Sequence, residues 1–116
     1  MKEGFKSLIV WQKSLALAKE VYRLTDLLPP RENYALADQM RRCAISVPSN
    51  IAEGSRRNSK KEFAHFIAIA HGSLAELETQ VFIATDHYQK ISFTTLEKLI
   101  DETSRMLLVL GRTLRM

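Results

Sequence analysis

From Leu36 to Ile51 an apolar residue recurs every three or four positions, through Met40, Cys43 and Val47, and the recurrence runs straight across Pro48. That spacing is the period of one face of an α-helix. A proline inside a helix removes a backbone hydrogen bond and crowds the preceding turn, at ~3 kcal/mol. Because the apolar period stays in phase, the segment is predicted as one kinked helix, with Ser46, Ser49 and Asn50 available to satisfy the freed backbone groups. A break at Val47 is the competing arrangement. The helix should start near Glu32 and end between Gly54 and Arg57, with Gly54 either capping it or admitting a neighbouring helix.

The same period marks three more helices. The first is predicted from Leu8 to Leu27, with Leu8, Trp11, Leu15, Ala18 and Tyr22 inward and Leu28-Pro29-Pro30 ending it. The third starts at a capping box, Ser59-Lys60-Lys61-Glu62, and reaches about Tyr88, with Phe63, Phe66, Ala70, Leu74, Leu77, Val81, Ala84 and Tyr88 inward. Gly72 inside it points to a close helix crossing. The fourth is predicted to open on a second box, Thr94-Thr95-Leu96-Glu97, and to carry Leu96, Leu99, Thr103, Met106, Leu110 and Leu114 inward, with Gly111 fraying its end. Four helices on short connections imply an all-α, antiparallel up-down-up-down bundle, one domain over residues 1–116.

Charge is concentrated. Between Arg41 and Lys61 stand six bases (Arg41, Arg42, Arg56, Arg57, Lys60, Lys61) and one acid, Glu53. This segment is more positive than the whole chain at +4, so the remainder is slightly acidic. Such a patch attracts polyanions in a salt-sensitive way. The alternative is a solvated face: Asp38 precedes Arg42 by four residues and Glu53 precedes Arg57 by four, the spacing of local ion pairs. Trp11, Tyr22, Phe63, Phe66 and Tyr88 all fall on the predicted inward stripes. Nucleic-acid contact is therefore expected through phosphates and shape, not stacked single-stranded bases.

Ile9, Leu17, Ile45, Ile69, Phe82, Ile83 and Val109 fall off these stripes, which predicts a subunit interface between copies. No catalytic or metal site is legible. His65, His71 and His87 lack the spacing that puts two imidazoles on one face, and no glycine-rich phosphate loop or strained nucleophile turn occurs. Cys43, the single cysteine, sits on an apolar stripe and is expected to be a buried, unreactive thiol in a reducing compartment. Lys2 and Lys6 precede an apolar run that Gln12 and Lys13 cut short, too short for a leader or a membrane span. The expected location is the cytoplasm, with no cofactor.

Leu8-Ile9-Val10-Trp11-Gln12-Lys13-Ser14, Asp38 to Arg42, Ser46-Val47-Pro48-Ser49-Asn50-Ile51-Ala52-Glu53-Gly54 and Phe63 to Glu78 closely resemble the bacterial four-helix bundle family named for proteins encoded in intervening sequences of 23S ribosomal RNA genes. Cys43 departs from the alanine expected there. The resemblance implies a left-handed bundle and a ring-shaped homopentamer. It also implies kinship with the accessory variability determinant protein of diversity-generating retroelements, a basic pentamer that binds nucleic acid and partners a reverse transcriptase. Two functions are therefore expected of the chain. One is non-enzymatic RNA or DNA binding of low sequence specificity through the six bases. The other is a protein-interaction scaffold, such as a reverse-transcriptase accessory subunit.

Overall fold

The computed structural model describes residues 4–116; Met1 to Glu3, and with them Lys2, lie outside the described residues. Four helices follow in order: α1 (Ile9–Thr25), α2 (Leu36–Ser55), α3 (Lys60–His87) and α4 (Thr94–Leu114), with 3-10 turns at Gly4–Ser7 and Pro30–Glu32. There is no strand among the described residues. Each helix packs on its neighbour in sequence and α1 also packs on α4, closing an antiparallel up-down bundle of 44 × 23 × 20 Å. Its length is that of α3, whose 28 residues rise ~42 Å.

The α2–α3 pair is the most extensive interface, and Pro48 lies within it. The helix is continuous from Leu36 to Ser55. Asn50 Nδ2 donates to the Ser46 carbonyl (2.8 Å) and to Ser46 Oγ (2.9 Å), and Ser46 Oγ is 2.8 Å from Ser73 Oγ on α3. The polar groups around the proline thus bond within α2 and across to α3. Ser49 is exposed and takes no part. Met40, Cys43, Val47 and Ile51 are buried as the period demands. Further up the same pair, Gln80 Nε2 donates to Cys43 Sγ (3.3 Å), and burial pushes the Cys43 thiol above its ordinary pKa. A protonated thiol in that position packs as a small hydrophobe.

Several expectations need correction. The inward stripe of α1 is Val10, Ser14, Leu17, Ala18, Val21 and Leu24, rotated from the predicted one: of the predicted residues Ala18 is buried, Leu8, Trp11 and Leu15 are half-buried and Tyr22 is exposed. Leu17 is therefore fully enclosed by its own chain and is no surface residue. Pro30–Glu32 forms a separate 3-10 turn, and α2 starts only at Leu36, whose amide reaches Glu32 Oε1 at 3.4 Å. Tyr88 donates its hydroxyl to the other oxygen of Glu32, tying this connection to the end of α3 and holding the Glu32 carboxyl below its usual range. Ser59 caps α3 by accepting from the Glu62 amide (3.1 Å), but Thr94 is already helical and makes no cap; Phe93, buried, precedes the helix instead. Gly72 faces open space and marks no crossing among the described residues. Gly111 is buried beside Ile67 inside α4, which runs on to Leu114.

Thr103 Oγ1 is buried on α4 with no partner among the described residues. A hydroxyl removed from water and left unbonded costs ~1–3 kcal/mol. Thr103→Val is accordingly expected to raise stability by about 1 kcal/mol, read as a higher denaturation midpoint with an unchanged slope.

Candidate nucleic-acid interface

The corner between α2 and α3 is built by a glycine. A Cβ on Gly54 would stand 2.7 Å from Phe66 Cβ and 2.9 Å from Phe63 Cδ1, so only glycine lets the start of α3 lie this close. The chain then reverses through Arg56, Arg57, Asn58 and Ser59. The Arg56 amide bonds the Glu53 carbonyl (3.2 Å) and the Arg57 amide bonds the Gly54 carbonyl (3.1 Å). Arg56, Arg57, Lys60 and Lys61 are all exposed on this corner.

The six predicted bases do not form one patch. Arg41 and Arg42 lie about four turns back along α2, roughly 20 Å away. Arg42 pairs with Asp38 at 3.0 Å. Arg41 is turned onto α1: its Nε donates to Thr25 Oγ1 (3.1 Å), its guanidinium lies 5.9 Å from the Tyr22 ring centre, and Asp26 is 3.9 Å away. It braces two helices. At the corner, Arg57 bonds Glu53 (2.7 Å), whereas no ion pair among the described residues involves Arg56, Lys60 or Lys61.

Lys60 and Lys61 occupy the first turn of α3. There the unpaired amides of the helix already present positive charge, so each added cation opposes the dipole, by ~0.3–1 kcal/mol. Folding alone would favour acids at these two positions.

The antiparallel topology adds bases that sequence reasoning did not gather. Arg115, past the end of α4, lines a groove of about 630 Å³ with Lys61, Ala64, His65, Ala68 and Leu114. Arg112 lies in the last turn of α4. Lys6 follows Phe5, over whose ring Arg56 lies at 5.4 Å. None of these is near Arg56 in sequence; only the pairing of α3 with α4, and of the N-terminal turn with α2, brings them to one end. Phe66 is another departure from expectation: it is half-buried at this end, and not interior.

Apolar surface lies elsewhere, and three stretches of it hold the exposed residues among those expected between subunits. Ile9 and Val109 face each other across a groove of about 590 Å³ between α1 and α4, with Leu8, Met106 and Leu110 in its walls. Phe82, 70% exposed, lies on the α4 side of α3 beside Glu97. Ile69 and Ile83 interleave at three- and four-residue spacings with Ser73 and Gln80, which bond α2, so they flank the α2–α3 seam, as does exposed Ile45 on α2.

The three histidines are separated along α3. His65 lies edge-on to Phe66, His71 Nε2 is 3.0 Å from Ser104 Oγ, and His87 Nδ1 is 3.2 Å from the Ile83 carbonyl. Among the described residues, no group of three or more His, Cys, Asp or Glu is placed to hold a metal ion. No helix of the described residues is long and apolar enough to cross a membrane.

Among curated proteins, none matches this chain. One family model does, over residues 6–109, which takes in α1, α2 and α3 entire and most of α4. The chain belongs to the 23S rRNA-intervening sequence protein family.

Proposed function

We propose that the protein is a non-enzymatic, cytoplasmic, oligomeric nucleic-acid-binding protein, pentameric by analogy with its relatives, that holds RNA or DNA phosphates with little sequence preference. The observation that supports this most is the exposed corner itself. Among the described residues Arg56, Lys60 and Lys61 have no carboxylate partner, and the dipole of α3 makes the cations at Lys60 and Lys61 costly to folding. A phosphate placed there meets both the side chains and the free amides of the helix. Arg57, Lys6, Arg112 and Arg115 extend the same end, while Arg41, braced against α1, and Arg42, paired with Asp38, lie apart from it. In a ring the corner repeats, and modest attraction per chain becomes multivalent.

Replacing Arg56, Arg57, Lys60 and Lys61 together by alanine tests the reading. Each phosphate contact contributes ~0.9 to the log–log salt slope on duplex DNA and ~0.7 on single strands. The variant is expected to flatten the slope by at least about 1.4 for each chain engaged, the share of two phosphate contacts on a single strand. An unchanged slope would remove the corner from the function.

The apolar groove between α1 and α4, with Ile9 and Val109 across it, favours a second reading as a scaffold for a protein partner such as a reverse transcriptase. A pull-down treated with nuclease separates the two. A partner retained after digestion supports the scaffold; one lost with the nucleic acid supports the first reading.

A further inference from the structure

We infer that Arg56 and Arg57 form a stacking platform for the unpaired bases of single-stranded nucleic acid, a reading that deepens the proposed function and rests on it. The Arg57 guanidinium lies 4.7 Å from the centre of the Phe66 ring, and its NH2 group donates to Glu53 Oε2 at 2.7 Å. The ring lies beneath the guanidinium carbon and the carboxylate holds one amino group, so the group is held from two sides. The side chain is still 44% exposed. Phe66 is itself anchored, with its Cβ packed over Gly54 and the His65 ring edge-on at 5.6 Å. Arg56 shares the aromatic half of the arrangement: it lies 5.4 Å from the Phe5 ring centre, and Phe5 meets Trp11 edge-to-face at 5.2 Å, with no carboxylate on Arg56 among the described residues.

The chemistry follows from what each group has left to offer. Glu53 already offsets the charge of Arg57, which weakens it as a phosphate contact. What it keeps is a flat, weakly hydrated face, the property that separates arginine from lysine. Bases within a duplex are covered by their neighbours, whereas unstacked bases lie on aromatic rings and guanidinium planes. Lys61 and His65 complete, with Arg57, Glu62 and Phe66, a concavity of about 620 Å³, within the size range of small-molecule sites. Bases therefore go to the arginines and phosphates to Lys60 and Lys61. This departs from the expectation of contact through phosphates and shape alone, which rested on placing Trp11, Tyr22, Phe63, Phe66 and Tyr88 on inward stripes; Phe66 is half-buried at this end.

The test is fluorescence anisotropy on the intact protein at one ionic strength. The probes, of equal length, are oligo(U) RNA, oligo(dT) DNA, an abasic deoxyribose-phosphate strand and a DNA duplex. A base-bearing strand is expected to bind about tenfold more tightly than the abasic strand. R56K and R57K keep the charge and remove the plane, and each should cut that ratio at least threefold, about what losing part of one stacking contact gives. R23K, at the opposite end of the bundle, should leave the ratio intact. A base-dependent gain on either sugar supports the platform, and the sugar with the larger gain identifies the natural strand. Equal affinity for base-bearing and abasic strands, or a preference for the duplex, overturns the platform and leaves nucleic-acid binding standing. Failure to bind any of the four overturns both.

Discussion

Leu17→Ala is expected to lower the stability of the bundle by about 2–5 kcal/mol, a large part of the ~5–15 kcal/mol typical of a folded domain. Leu17 has no exposed surface and lies in the middle of the line Val10, Ser14, Leu17, Val21, Leu24. Truncation there removes apolar burial and leaves a cavity, because the surrounding helices relax only in part. Ile9, 68% exposed on the same helix, is the internal comparison: Ile9→Ala should cost no more than about 0.5 kcal/mol within one chain, and any larger loss should grow on dilution, as for a residue between chains. Urea midpoints at two protein concentrations separate the alternatives. A residue inside one chain gives a loss independent of concentration, and a residue between chains gives a loss that grows on dilution. If Leu17→Ala behaved in the second way, α1 would have to be rotated from its position here.

The difficulty with α1 has a physical source. Two apolar stripes interleave on this helix, and the one containing Trp11, Leu15 and Tyr22 is bulkier and free of polar interruption. The stripe that is buried includes Ser14, which looks wrong for a core. Ser14 Oγ donates to the carbonyl of Trp11 at 2.7 Å, so the hydroxyl is satisfied within its own helix and can be enclosed. On α2 the ambiguity is smaller, because the face opposite Met40, Cys43, Val47 and Ile51 carries Arg42, Ser49 and Glu53, with Ile45 its one large apolar residue. The same contrast holds for the caps. Ser59 has one possible register and caps α3, whereas adjacent Thr94 and Thr95 leave the register open, and burial of Phe93 decides it.

The candidate site divides along similar lines. Arg56, Arg57, Lys60 and Lys61 are contiguous, so their corner is legible as a charge run, and the four-residue spacings that pair Arg42 with Asp38 and Arg57 with Glu53 are legible too. Arg41 is not: its partners Thr25 and Asp26 belong to another helix, and nothing in its neighbours distinguishes it from Arg42. Arg115 and Phe5 join the corner only through topology. The placement of the Arg57 guanidinium over Phe66 depends on an approach of α3 to α2 that a single missing Cβ permits.

That approach makes Gly54 and Gly72 an opposed pair. Both are helical, and at either position glycine costs about 1 kcal/mol relative to alanine in an unhindered helix. At Gly72 nothing lies within 4 Å of the added Cβ, so Gly72→Ala should recover that amount and raise stability by about 1 kcal/mol. At Gly54 the added carbon meets Phe66 Cβ at 2.7 Å and the Phe63 carbonyl oxygen at 3.3 Å. These atoms are fixed to or part of the α3 backbone, so the clash is not relieved by turning a side chain; the helix itself must move. Overpacking of this kind costs about 1–3 kcal/mol and outweighs the gain in propensity. Gly54→Ala should therefore destabilise, by roughly 1–2 kcal/mol net. Displacing the start of α3 also shifts Phe66 beneath Arg57, so the same variant should narrow the preference for base-bearing over abasic strands at temperatures where it remains folded. Chemical denaturation of the two alanine variants reads the sign directly. Midpoint shifts in the same direction would mean that α2 and α3 do not meet at Gly54, and the corner would lose the geometry on which its platform depends.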